Sequence, residues 1–174
     1  MKELVIFADW EFFQCLHHIG KLSLVDELPY KCVLLEDLFH EETPYSKQAQ
    51  LVDEIITLSN VIIDEPKNRY SNNIYDPNSE IKLIDQYALI LGLEYKEYLP
   101  NSVINICTKI DALANEYIEL FDVNGFFSQS LIYKLKQSSI LSSNEILDII
   151  DFVISEKLRS EENEEYIYLL KARL

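Results

Sequence analysis

Leu4-Val5-Ile6-Phe7-Ala8 is apolar for five residues and stops on an acid, Asp9, and an amphipathic run over residues 10–20, closed by Lys21, follows without a gap. An unbroken apolar run of this length predicts a strand covered on both faces, which is the condition of a strand inside a parallel sheet. In open α/β sheets the chemistry gathers where such strands end. Asp9 therefore has two readings. It is an N-cap for the following helix, or a carboxylate facing a crevice.

The next elements repeat the plan. A turn and helix over residues 19–28 lead to a second apolar strand, Cys32-Val33-Leu34-Leu35, and then to the acid-bearing helix Glu36-Asp37-Leu38-Phe39-His40-Glu41-Glu42. Thr43-Pro44 reads as a cap with proline at the first helical position, and Leu51, Val52, Ile55, Ile56 and Leu58 form an apolar stripe. Asn60 closes that helix, and Val61-Ile62-Ile63 reads as a third strand. Residues 67–78 are the longest polar stretch, a loop. Asn78 or Ser79 opens a helix that stops at Gly92 as a C-cap. Residues 93–99 read as a short strand, and Pro100-Asn101 breaks it before a long helix over residues 102–120. Residues 122–125 read as a turn, residues 126–136 as a helix, and Ser142 with Glu145 as a capping box that launches residues 146–158. A last helix covers residues 161–174.

With 174 residues, 48% of them hydrophobic, the chain can bury a real core, and three glycines and five prolines leave little open loop. This is read as a single domain over residues 1–174, an α/β core to about residue 125 followed by C-terminal helices over 126–174. The opening apolar run is too short for a signal peptide or a membrane span. Cys15, Cys32 and Cys107 are odd in number and set in apolar runs, so they read as free thiols of a cytoplasmic protein.

Thirty Asp and Glu against fifteen Lys and Arg give a net charge of −15. That balance opposes nucleic-acid binding, which needs a basic footprint, and suits docking onto a basic protein partner. The basic clusters are small: Lys67 and Arg69, Lys134 and Lys136, Lys157 and Arg159, Lys171 and Arg173. His17, His18 and His40 have no Cys or Ser at nucleophile spacing, and three glycines cannot build a phosphate-cradling loop.

The order and wording of residues 1–43, with the phrase Ile19-Gly20-Lys21-Leu22-Ser23-Leu24 after the first helix, resemble the PIN-domain proteins, in particular the small prokaryotic ones related to toxin–antitoxin nucleases. Gly125-Phe126-Phe127 through Ile140-Leu141-Ser142 is similar to their C-terminal portion, without its glycine. The resemblance implies a three-layer α/β/α fold with a parallel sheet and a helix-rich C-terminal part. It also implies a carboxylate site for Mg²⁺ or Mn²⁺ that cleaves RNA. In that pattern Asp9 is the first acid and Glu42 the second, with Glu41 as the alternative. The third acid falls about ten residues before a glycine. With Gly92 as that glycine the slot holds Ile81, with Glu80 beside it and Asp85 and Asp111 further along. The fourth acid's place is taken by Pro100-Asn101, and Asp-Thr-Ser becomes Asp9-Trp10-Glu11.

The candidate ligands are thus Asp9, Glu42, Glu80 and Asp85, with Asp9 and Glu42 as the catalytic pair. Three functions remain open: a metal-dependent ribonuclease of a toxin–antitoxin or defence system, a pseudoenzyme that keeps the fold to bind a protein, and an acidic immunity-type inhibitor of a basic partner. A homo-oligomer is open as well.

Overall fold

The computed structural model describes residues 2–70, 73–108, 124–126, 128–156 and 171, and for residues 124–126 and 128–130 the backbone alone. Five strands, β1 (Glu3–Phe7), β2 (Lys31–Leu35), β3 (Val61–Asp64), β4 (Val103–Cys107) and β5 (Asn124–Phe126), form one sheet in the order β3-β2-β1-β4-β5. Every neighbouring pair is parallel: Phe7 stands beside Leu34 and Cys107, Leu35 beside Asp64, and Asn105 beside Asn124. Parallel neighbours need crossovers, and helices supply them. These are α1 (Glu11–His18), α2 (Gln48–Ile55) and α3 (Leu83–Tyr98), followed by α4 (Ser128–Gln137) and α5 (Ser143–Ser155).

Side chains along a strand alternate between faces. Phe7 packs edge-on against Phe13 of α1 at 4.6 Å and stacks with Phe12 at 5.4 Å. Its neighbour Ile6 points the other way, where the backbone of α3 at Gly92 approaches Ile6, Ile104 and Ile106. The C-terminal helices dock on α1. His18 stacks on Phe152 with ring centroids 4.2 Å apart, and Lys21 Nζ reaches Glu145 at 2.6 Å. α1 ends where Gly20 takes φ +70°, so that Lys21 N–H donates back to Leu16 C=O at 2.9 Å. Ser142 and Glu145 form the expected capping box at the start of α5. Cys15, Cys32 and Cys107 are buried and none is in a disulfide, and among the described residues no helix is long and apolar enough to cross a membrane.

The first three strands lie where the sequence puts them. The middle of the chain differs. α3 runs through Gly92 to Tyr98, so Gly92 is no C-cap and residues 93–99 are no strand. Helix α3 begins at Leu83, not at residue 78 or 79, because Gln86 holds the preceding residues in a turn: its Nε2 donates to Asp76 C=O and Ile81 C=O, each at 2.9 Å, and its Oε1 accepts from Asp76 N–H at 2.9 Å. The fourth strand is Val103–Cys107, inside the stretch read as a helix over 102–120, while Asn124 and Gly125, read as a turn, belong to β5. Val-Ile-Asn-Ile-Cys is buried from Ile104 on, between β1 and β5, and such a run carries no period that separates strand from helix.

Shorter elements differ too. Residues 22–27 and 36–40 are 3₁₀ turns. α2 starts at Gln48, after an ordinary turn in which Thr43 Oγ1 accepts from Tyr45 N–H at 3.2 Å, so Pro44 is not its first helical residue. It stops at Ile55, and Asn60 instead ties the entry to β3, its Nδ2 donating to Val25 C=O at 2.7 Å and Tyr30 C=O at 2.8 Å. Asp111 and, apart from Lys171, the helix expected over 161–174 lie outside the described residues.

Candidate acidic site at the sheet's switch point

In the order β3-β2-β1-β4-β5 the connections run outward in one direction from β1 and in the other from β4. The carboxyl ends of β1 and β4 therefore flank the topological switch point, where open parallel sheets hold their crevice. Asp9 lies two residues past the end of β1, and Thr108 one residue past the end of β4, with Ala8 N–H donating to Cys107 C=O at 2.8 Å to keep the two segments side by side. α3 follows β3 and leads into β4, so its N-terminal end stands at the same edge of the sheet and brings Asp85 in its first turn.

Asp85 is the most perturbed carboxyl of this edge. Burial pushes it up to about 6; the hydrogen bond from Thr108 and the charge of Lys82 pull the other way, and the charges of Asp9 and Glu41 push it further up. Thr108 Oγ1–H donates to Asp85 Oδ1 at 2.5 Å, which fixes the carboxyl's orientation. Asp9 is only 9% exposed. Its Oδ1 accepts from Glu11 N–H at 2.9 Å, the turn that starts α1, while Trp10 occupies the N-cap position without a side-chain cap. The capping reading of Asp9 thus holds in a shifted form, and its charge still reaches Asp85.

Of the acids named from sequence, Asp9 and Asp85 come together at this edge. The carboxylate after the second strand whose charge acts on Asp85 is Glu41; Glu41 and Glu42 are both exposed. Glu80 is exposed in the turn ahead of α3, and Asn101 is exposed in the turn ahead of β4. Thr108 escaped the sequence reading. It holds the same strand-terminal place on β4 that Asp9 approaches on β1, a signal that only a strand at 103–107 makes visible.

A second group lies along the edge, past β2 and β3. Arg69 donates to Asp37 Oδ1 at 2.9 Å and to Glu65 Oε2 at 2.7 Å, and its guanidinium stands 4.5 Å from the ring centre of Tyr87 on α3. This places Arg69 of the 67–78 loop in an ion-pair network and ties that part of the loop to α3.

The metal implied by the resemblance meets a small donor set. Among the described residues no three His, Cys, Asp or Glu side chains form a metal-holding group. Two carboxylates and a hydroxyl, Asp9, Asp85 and Thr108, nevertheless fit Mg²⁺ or Mn²⁺. Mg²⁺ in phosphate chemistry is held through one or two carboxylates, with waters and substrate oxygens completing its shell. A carboxyl that burial and a neighbouring acid hold near 6 is also one whose charged form a cation would relieve. No protein-family model, no curated protein and no solved structure matches this chain.

Proposed function

We propose that the chain is a cytoplasmic, PIN-like three-layer α/β/α protein whose Asp9–Asp85 pair binds Mg²⁺ or Mn²⁺ and cleaves RNA phosphodiesters. The observation that carries the proposal is the raised Asp85 carboxyl beside Asp9 at the switch point of an all-parallel sheet. A carboxyl whose proton affinity is raised by burial and by a neighbouring acid, set in a crevice, is the kind of group that functional sites use.

Each residue has a task in this reading. Glu11 N–H anchors Asp9, and Thr108 Oγ1–H orients Asp85. Lys82 and the positive end of α3 favour a phosphate next to the acids. Glu41 supplies further negative charge from the segment after β2, in the role first given to Glu42. A bound divalent ion would stabilise charge on the phosphate and lower the pKa of an attacking water.

A second reading, a catalytically inactive PIN-like module that binds a protein, has its own support: no three-acid group among the described residues, and a net charge of −15. One experiment separates the two. The nuclease reading expects single-stranded RNA to be cut in millimolar Mn²⁺ by the wild type and by neither Asp9→Asn nor Asp85→Asn. It also expects the wild-type melting temperature to rise with Mn²⁺, because a ligand of the folded state stabilises it. Intact RNA with no thermal response to Mn²⁺ or Mg²⁺ establishes the inactive module instead.

A further inference from the structure

Among the described residues β3 is an outer strand of the sheet, paired with β2 on one side. Consecutive residues point to opposite faces, yet Ile62 is 37% exposed and Ile63 43% exposed. Both faces are therefore open at this strand. A short apolar edge left uncovered is a template for another strand.

The register shows what lies beside it. Ile62 aligns with Val33 and, through it, with Ile6, which faces α3, so Ile62 and Asp64 stand on the α3 side. There a groove of about 280 Å³ separates the end of β3 from the C-terminal half of α3, with Leu91, Tyr95 and Tyr98 as its apolar wall. Two of its acids, Asp64 and Glu94, are held by neutral donors, while the third, Glu65, pairs with Arg69. Tyr95 O–H donates to Asp64 Oδ2 at 2.7 Å, and Glu94 accepts from Lys67 N–H and Asn68 N–H, each at 3.0 Å. Lys67 Nζ stands 5.3 Å from the ring centre of Tyr98, which is 66% exposed. An ammonium against an aromatic face beside carboxylates is the chemistry this groove accepts.

We propose that the open edge of β3 and this groove receive an extended, basic segment of a partner protein, which adds as a further parallel or antiparallel strand and lays a lysine or arginine side chain against Tyr98. Main-chain pairing would provide the affinity and the groove the choice of side chain. Charge selects the occupant. With Glu65 paired to Arg69, Asp64 and Glu94 still outnumber Lys67 in the groove, and the chain carries −15 overall, which repels second copies and attracts a basic chain. This surface is separate from the Asp9–Asp85 crevice, so the two proposals stand or fall apart.

The test uses the whole protein and a synthetic peptide of alternating Lys and Val, with an alternating Glu and Val peptide as counterpart. Amide exchange over residues 61–64 should slow on adding the Lys–Val peptide, and the Glu–Val peptide should not bind. Ile62→Lys and Tyr98→Ala, both at exposed positions and checked by an unchanged melting temperature, should each weaken binding by about tenfold, a change worth about 1.4 kcal/mol. Asp9→Asn should leave it unchanged. Unaltered exchange at 61–64, wild-type affinity in either variant, or protection of 61–64 that grows with protein concentration alone would each overturn the proposal, the last by making the edge a self-association surface.

Discussion

Replacing Asp85 with Asn tests the electrostatics of the switch-point crevice without disturbing its hydrogen bonds. Asn keeps an oxygen for Thr108 Oγ1–H and removes the charge that burial and Asp9 disfavour. The folded protein binds a proton at Asp85 more tightly than the unfolded chain does, with about 6 against an ordinary 3.8. Stability contributed by that proton is complete below about pH 4 and is lost as pH rises through 6. At about 1.4 kcal/mol for each pH unit, the full penalty above pH 7 is about 3 kcal/mol. Water screens part of it, because Asp85 is only partly buried. We therefore expect Asp85→Asn to stabilise the protein by about 1–2 kcal/mol at pH 8, or roughly 3–6 °C in melting temperature for a chain of this size. The gain should shrink through pH 6 and vanish near pH 4. Urea unfolding of both proteins in EDTA between pH 4 and 8 measures it. A gain that does not change with pH, or a loss at pH 8, would refute a strained carboxyl at this position.

Two further substitutions probe the frame around the site. Gly92→Ala should stabilise α3 by about 0.5–1 kcal/mol in urea melts, since a Cβ there would meet Ile104 and Ile106 at 3.5 Å and Ile6 at 3.6 Å, ordinary contact distances, while alanine favours the helix. Asn60→Ala should cost about 2–3 kcal/mol in the same assay, because it strips Val25 C=O and Tyr30 C=O of the donor that Asn60 Nδ2 provides in a buried turn.

The strands up to β3, within the first 64 of 174 residues, were legible because their signals are local. Apolar runs stop on acids or turn residues, Gly20 ends α1, and the strands fall in sequence at Leu4, Cys32 and Val61. Helix α3 and strand β4 were not legible, for two physical reasons. Gly92 sits mid-helix because the packing of α3 on Ile6, Ile104 and Ile106 carries the helix through a residue that sequence reads as a helix end. Val103–Cys107 is buried on both faces and so lacks the alternation that marks a half-exposed strand. The error carried over to the site. Without β4 there was no Thr108, and without the turn held by Gln86 there was no means to see that α3 begins just ahead of Asp85 and carries it toward Asp9 while Glu80 stays outside.

Trp10, the single tryptophan of the chain, follows Asp9 directly and is buried. Its indole N–H donates to Leu38 C=O at 2.9 Å, and its ring meets Phe39 edge-on at 5.0 Å. One aromatic side chain thus clasps the end of β1 to the turn that leads into Glu41. The protein carries its own fluorophore at a seam where the proposed cation would draw Asp9 and the segment after β2 together. If the proposed ion binds, emission from that indole would be an unlabelled optical gauge of its arrival on the timescale of mixing.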